Sequence, residues 1–115
     1  MRIPALLQRL EFVGQAEGDR RTYYVFKGNS AYVVASPNGK AALNVSVVDA
    51  EVPEVITRRF GGREVTSSTL KHKSHRPDLF GASFAALNGL YAMVALGRAR
   101  KLKKREGKAM VFRIK

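Results

Sequence analysis

Six of the eight residues from Arg98 to Arg105 are basic: Arg98, Arg100, Lys101, Lys103, Lys104 and Arg105, with Lys108 three positions further on. Guanidinium and ammonium groups at this density suit one task above others, the neutralisation of phosphates along a polyanion. A second cluster runs Thr66-Ser67-Ser68-Thr69-Leu70-Lys71-His72-Lys73-Ser74-His75-Arg76. Hydroxyls at a helix start followed by cations also suit phosphate. Ser67, Ser68, Lys71, Lys73 and Arg76 therefore join the seven cations of the C-terminal run as candidate nucleic-acid contacts.

Other chemistries lack their residues. The chain has no cysteine, which removes disulfides, thiolate metal sites and thiol nucleophiles together and fits a cytoplasmic protein. His72 and His75 stand three apart, but no Cys or acid flanks them at ligand spacing, so no metal site is expected. Glu17/Asp19 and Asp49/Glu51 are acid pairs without a neighbouring histidine, and neither a phosphate-binding Walker loop nor a GxSxG elbow is present. The expectation is a protein that is not an enzyme and carries no cofactor. No window approaches 18 apolar residues, and Pro4 and Arg9 interrupt the short apolar start, so neither a membrane span nor a signal peptide is expected.

The charge is one-sided. Of the net +12, residues 1–52 contribute almost nothing, with six Lys/Arg against five acids, whereas residues 53–115 carry fifteen against four. A polyanion is the default partner of such a surface. Nucleic acid is favoured over an anionic membrane because the basic segment lacks an aromatic-faced amphipathic helix.

The elements that must position these groups divide at about residue 51. In the first part, Leu6, Leu7 and Leu10 recur at helical spacing, with Phe12 and Val13 following, and predict a short helical turn. Gly14 to Asp19 reads as a loop. Strands are predicted over Arg21–Phe26, Ala31–Ala35 and Ala41–Val48, joined by Lys27-Gly28-Asn29-Ser30 and Ser36-Pro37-Asn38-Gly39. That is an antiparallel β-meander, residues 1–51. Its aromatics, Tyr23, Tyr24, Phe26 and Tyr32, are expected to be mainly core.

In residues 52–115 the period changes. Val52, Val55, Ile56 and Phe60 form a helical stripe that ends at Gly61-Gly62. Glu64-Val65 reads as a short strand. Thr66 or Ser67 caps a helix to about Ser74, with Leu70 inward. Asp78 or Ser83 opens a longer helix with Phe84, Leu87, Leu90, Tyr91 and Val94 on one face, ended by Gly97. In the closing hairpin, Met110, Phe112 and Ile114 face inward with Leu102 and the stem of Arg100. Lys101, Lys103 and Arg105 share the solvated face, and Lys104 points the other way.

The stretch Leu87-Asn-Gly-Leu-Tyr-Ala-Met-Val-Ala-Leu-Gly97, then Arg98-Ala-Arg-Lys-Leu-Lys-Lys104, the turn Arg105-Glu-Gly-Lys108 and the strand Ala109 to Ile114 resembles the close of a winged-helix DNA-binding domain. The resemblance covers roughly residues 52–115. It implies an α+β fold, the meander packed on a helix, short strand, helix, helix and β-hairpin wing, and a protein binding double-stranded DNA as a transcriptional or architectural factor, with RNA as a variant. One departure stands out. The helix that would enter the major groove offers only Ser83, Asn88 and Tyr91 among small residues, whereas base reading needs Arg, Lys, Asn or Gln. A helix apolar all round is buried on more than one side, so 84–96 is expected to pack on the meander or on a second subunit. The alternative function is a protein–protein adaptor or assembly factor that uses helix 84–96, which would also serve a homodimer.

Overall fold

The computed structural model describes residues 10–39, 42–82 and 84–115. The predicted helical turn over residues 6–10 falls largely outside them, as do Lys40, Ala41 and Ser83. The fold is α+β. Four strands come first: β1 (Glu11–Glu17), β2 (Thr22–Lys27), β3 (Ala31–Asn38) and β4 (Ala42–Asp49). They pair antiparallel in chain order. Then follow α1 (Val52–Phe60), β5 (Glu64–Val65), α2 (Ser67–Lys73), α3 (Pro77–Phe80), α4 (Ala85–Ala95) and the hairpin β6 (Ala99–Glu106) and β7 (Ala109–Ile114). The last strand is central in a second sheet of order β5-β7-β6. Among the described residues no helix is long and apolar enough to cross a membrane.

Local chemistry explains most of these boundaries. In α1, Pro53 occupies the first turn with Glu54, and Arg58 and Arg59 occupy the last, which complements the helix dipole at both ends. Thr66 caps α2 reciprocally: its hydroxyl accepts from the Thr69 N–H at 3.3 Å, and the Thr69 hydroxyl accepts from the Thr66 N–H at 3.1 Å. At the end of α4, Gly97 takes φ +75. Its N–H donates to the Val94 carbonyl at 3.0 Å and the Arg98 N–H to the Met93 carbonyl at 2.9 Å, so two otherwise orphaned carbonyls are satisfied.

Three expectations need correction. The meander has four strands, because Glu11–Glu17 is a strand and not a turn followed by a loop. Gly14 looks like a loop residue in the sequence, yet a Cβ there would lie 2.7 Å from the Ala95 carbonyl oxygen. It marks both a bulge in the β1–β2 ladder and the close approach of β1 to α4. Secondly, of the two expected openings of the longer helix, Asp78 belongs to the separate short helix α3, whereas α4 begins at Ala85, two positions past the Ser83 alternative. Phe84 is not on its inner face; it stands ahead of α4, 74% exposed, with φ 63. Thirdly, the hairpin does not alternate simply. Lys101 lies opposite Phe112 and Arg105 opposite Met110, so Leu102, Lys103 and Lys104 face only Val111. Residues directly opposite share a face. Ala99, Lys101 and Arg105 therefore stand on the core side, where alternation placed Arg100 and Leu102.

One core joins the two parts of the chain. It contains Ala16, Val25, Tyr32, Val34 and Val48 of the four-stranded sheet together with Val55, Ile56, Leu70, Phe80, Leu90, Met93, Phe112 and Ile114. At its centre is α4, whose Ala86, Gly89, Leu90, Tyr91, Ala92 and Met93 are all buried. The Tyr91 ring stacks on Tyr23 of β2 with centroids 4.0 Å apart, and meets Phe112 of β7 edge-on at 6.3 Å. On the far face of the first sheet, Phe26 and Ala35 form a smaller cluster with Tyr24, Val33 and Leu43.

Because Tyr91 touches both sheets, Tyr91→Ala is expected to cost about 3–5 kcal/mol. Urea unfolding followed by far-ultraviolet dichroism and by tyrosine fluorescence should show one shared transition in both the parent and the variant. Two separated transitions in the parent chain would contradict a single core.

Candidate nucleic-acid interface

The structure sorts the candidate cations into two groups by what their charge meets. Arg98 donates to Glu54 at 2.7 Å. Lys101 and Arg105, four residues apart, both reach the Asp19 carboxylate in the β1–β2 turn, Lys101 at 3.8 Å. The pairing of Lys101 with Phe112 and of Arg105 with Met110 turns both side chains to the core side of the hairpin. Lys101 also donates to the Glu17 carbonyl at 3.4 Å, and Arg105 to the Lys108 carbonyl at 2.7 Å. Lys104 projects to the other side and pairs with Glu64, which Arg113 approaches at 3.7 Å. The core-side edge of the basic hairpin is thus docked on the first sheet.

Arg76 is held more completely. Its guanidinium bonds both oxygens of Glu51, at 3.0 and 3.1 Å, and both oxygens of Asp78, at 3.1 and 2.9 Å. The hydrogen bonds from Arg76, reinforced by its charge, hold both carboxyls below their ordinary range, and those carboxylates raise the Arg76 pKa further. This side chain ties the residue before α1 to the first turn of α3. Phosphate contact, the role expected of it, would require breaking a four-bond clamp.

Of the expected contacts, Lys71, Lys73, Arg100, Lys103 and Lys108 have no acidic partner among the described residues, and neither do Arg58, Arg59 and Arg63. The last three were missed in the sequence. Their signal was present as three cations within six positions. α2 lies between two clefts. One, of about 540 Å³, is lined by Arg59, Arg63, Thr69, Lys73 and His75 with Phe60 and Val65, and also by Glu64 and Glu106. Glu64 is already neutralised by Lys104 and Arg113, so the cleft keeps a surplus of positive charge. The other, of about 410 Å³, contains Ser67, Ser68, Lys71 and His72. The two histidines therefore line different clefts.

The expected reading helix offers little to a ligand. Tyr91 is buried against Tyr23, and burial pushes its hydroxyl pKa up. Asn88 is half-buried. Comparison of the chain with protein-family models, curated proteins and solved structures finds no match.

The Arg76 clamp carries a pH signature. Carboxylates depressed by a partner contribute stability that is present above their unfolded value of about 4 and fades as pH falls through the lower folded value. Arg76→Met should therefore lower Tm at neutral pH and flatten the fall of Tm below about pH 5. Thermal melts of parent and variant across that range test it, and parallel acid profiles would show that the clamp contributes nothing.

Proposed function

We propose that the protein binds nucleic acid, duplex DNA in the first place, by phosphate contacts from Arg58, Arg59, Arg63, Lys71 and Lys73 on one side and Arg100, Lys103 and Lys108 of the hairpin on the other. The observation that carries this reading is the sorting of charge. Asp19, Glu51, Glu54, Glu64 and Asp78 are engaged by cations inside the fold. Most of the described cations left without such partners, Arg58, Arg59, Arg63, Lys71, Lys73, Arg100, Lys103 and Lys108, flank α2 and the hairpin; Arg20, Arg21, Lys27 and Lys115 are unpaired elsewhere. A surface of one sign attracts a polyanion and releases its counterions.

Two further features support it. The order α1, β5, α2, α4 and hairpin is the order on which the winged-helix resemblance rests, with α3 added. The burial of α4 under the four-stranded sheet argues for contacts to the DNA backbone over base reading, which suits an architectural role. The same burial weakens the adaptor and homodimer readings, since the apolar surface that prompted them is covered by the chain's own sheet. A cytoplasmic location is proposed on the absence of cysteine.

Salt dependence separates the two groups of cations. Removing one phosphate-binding cation flattens log affinity against log salt by about 0.9 on duplex DNA. The triple variants R59Q/R63Q/K73Q and R100Q/K103Q/K108Q should each lower the slope by roughly two to three units. K101Q/R105Q should instead lower Tm and change the slope much less. Equal reductions in slope for all three, or no duplex binding by the parent at low salt, would reject the reading.

A further inference from the structure

Phe84 combines two unfavourable features. Its ring is 74% exposed and belongs to neither hydrophobic cluster of the described residues. Its backbone has φ 63 and ψ 0, a left-handed conformation that bulky side chains rarely adopt. Two backbone bonds hold this turn: the Ala85 N–H donates to the Ala82 carbonyl at 3.1 Å, and the Asn88 N–H to the Phe84 carbonyl at 2.9 Å. A glycine would satisfy the same turn without strain and without exposing a ring. Strained backbone that presents a specific side chain is a recurrent feature of binding sites.

The ring stands over a cleft of the right character. Ser67, Ser68, Lys71, His72, Phe84 and Leu87 line it, and Phe80 and Ala86 complete an apolar floor. Among the described residues, no acidic one lines it. Its volume, about 410 Å³, lies in the range of small-ligand pockets. An aromatic wall and an apolar floor suit the face of a planar ring. Hydroxyls at the rim suit the polar edge of that ring, and an ammonium with an imidazole beside it suits an attached phosphate.

We propose that this cleft binds one unpaired nucleotide of a DNA strand, its base stacked on Phe84 and its phosphate held by Lys71 and His72. The inference rests on the nucleic-acid reading and extends it: α2 carries backbone contacts on one flank and a base-stacking site on the other. A base inside an intact duplex cannot reach the ring, so the protein should favour DNA with an extrahelical or single-stranded base. The base is recognised by its π-face, which every base has, so the preference is for an unpaired position and not for a sequence.

The test compares a paired duplex with the same duplex carrying one adenine bulge, by anisotropy with the full chain, and adds AMP as a third probe. Stacking of one base predicts roughly five- to a hundredfold tighter binding of the bulged duplex. Phe84→Ala should abolish that preference while leaving paired-duplex affinity and its salt slope unchanged, and Phe84→Trp should retain it. Phe84→Gly should lose the preference and raise Tm, because the strain is relieved. Equal binding of the two duplexes by the parent overturns the proposal, as does an unchanged preference in Phe84→Ala. AMP binding that depends on Phe84 without any preference for the bulge overturns the assignment to a DNA strand. Failure of the parent to bind either duplex would instead refute the nucleic-acid reading beneath it.

Discussion

Tyr91 has a sheet on either side of it, and that position constrains the rest of the molecule. Its ring lies flat on Tyr23 and edge-on to Phe112, so α4 cannot leave one sheet without disrupting the packing of both. Aromatic pairs of this kind add to the stabilisation from the area they bury. The small residues of α4 follow from the same constraint. A Cβ on Gly89 would meet Val52 at 3.0 Å and one on Gly14 would meet the Ala95 carbonyl, so the helix and its neighbours are trimmed to let backbones approach. Gly18 serves the column itself, since a Cβ there would fall 2.6 Å from the Tyr23 ring.

Burying α4 changes where a charged ligand can be met. A helix covered by a four-stranded sheet cannot enter a groove. What remains on the basic side is α2 with a cleft on either flank, the end of α1 and the outer part of the hairpin. The two clefts beside α2 differ in character: one is cationic over Phe60 and Val65, the other is aromatic with hydroxyls at its rim.

The ion pairs act at the joints between elements. Asp19 meets Lys101 and Arg105, Glu54 meets Arg98, and Glu51 meets Arg76. Each joins elements distant in the chain. Because these pairs are partly exposed, each contributes little to stability in isolation. Their effect is to fix how the hairpin sits on the first sheet and how α3 sits beside α1. Five of the nine acids of this basic chain, Asp19, Glu51, Glu54, Glu64 and Asp78, are thereby engaged in ion pairs.

Much of the architecture is legible locally. The stripe Val52, Val55, Ile56 and Phe60, the β-branched and aromatic runs of β2 and β3, the Thr66 cap and the Gly97 stop each follow from side-chain period or from backbone freedom, which neighbouring residues determine. The one-sided charge is equally a property of composition. Tertiary structure decided the rest. Gly14 reads as a loop until α4 is packed against it, and Phe84 reads as core until the turn before α4 points it outward. The clearest case is the basic hairpin. Alternation placed Lys101 and Arg105 on a solvated face, but the cross-strand register, with Lys101 opposite Phe112 and Arg105 opposite Met110, sets both on the core side, facing a carboxylate more than eighty positions earlier in the chain. Strand register and the partner of a charge depend on which distant segments meet. Neither the period of a segment nor its composition contains that information, because it arises only when α4 brings the two sheets together.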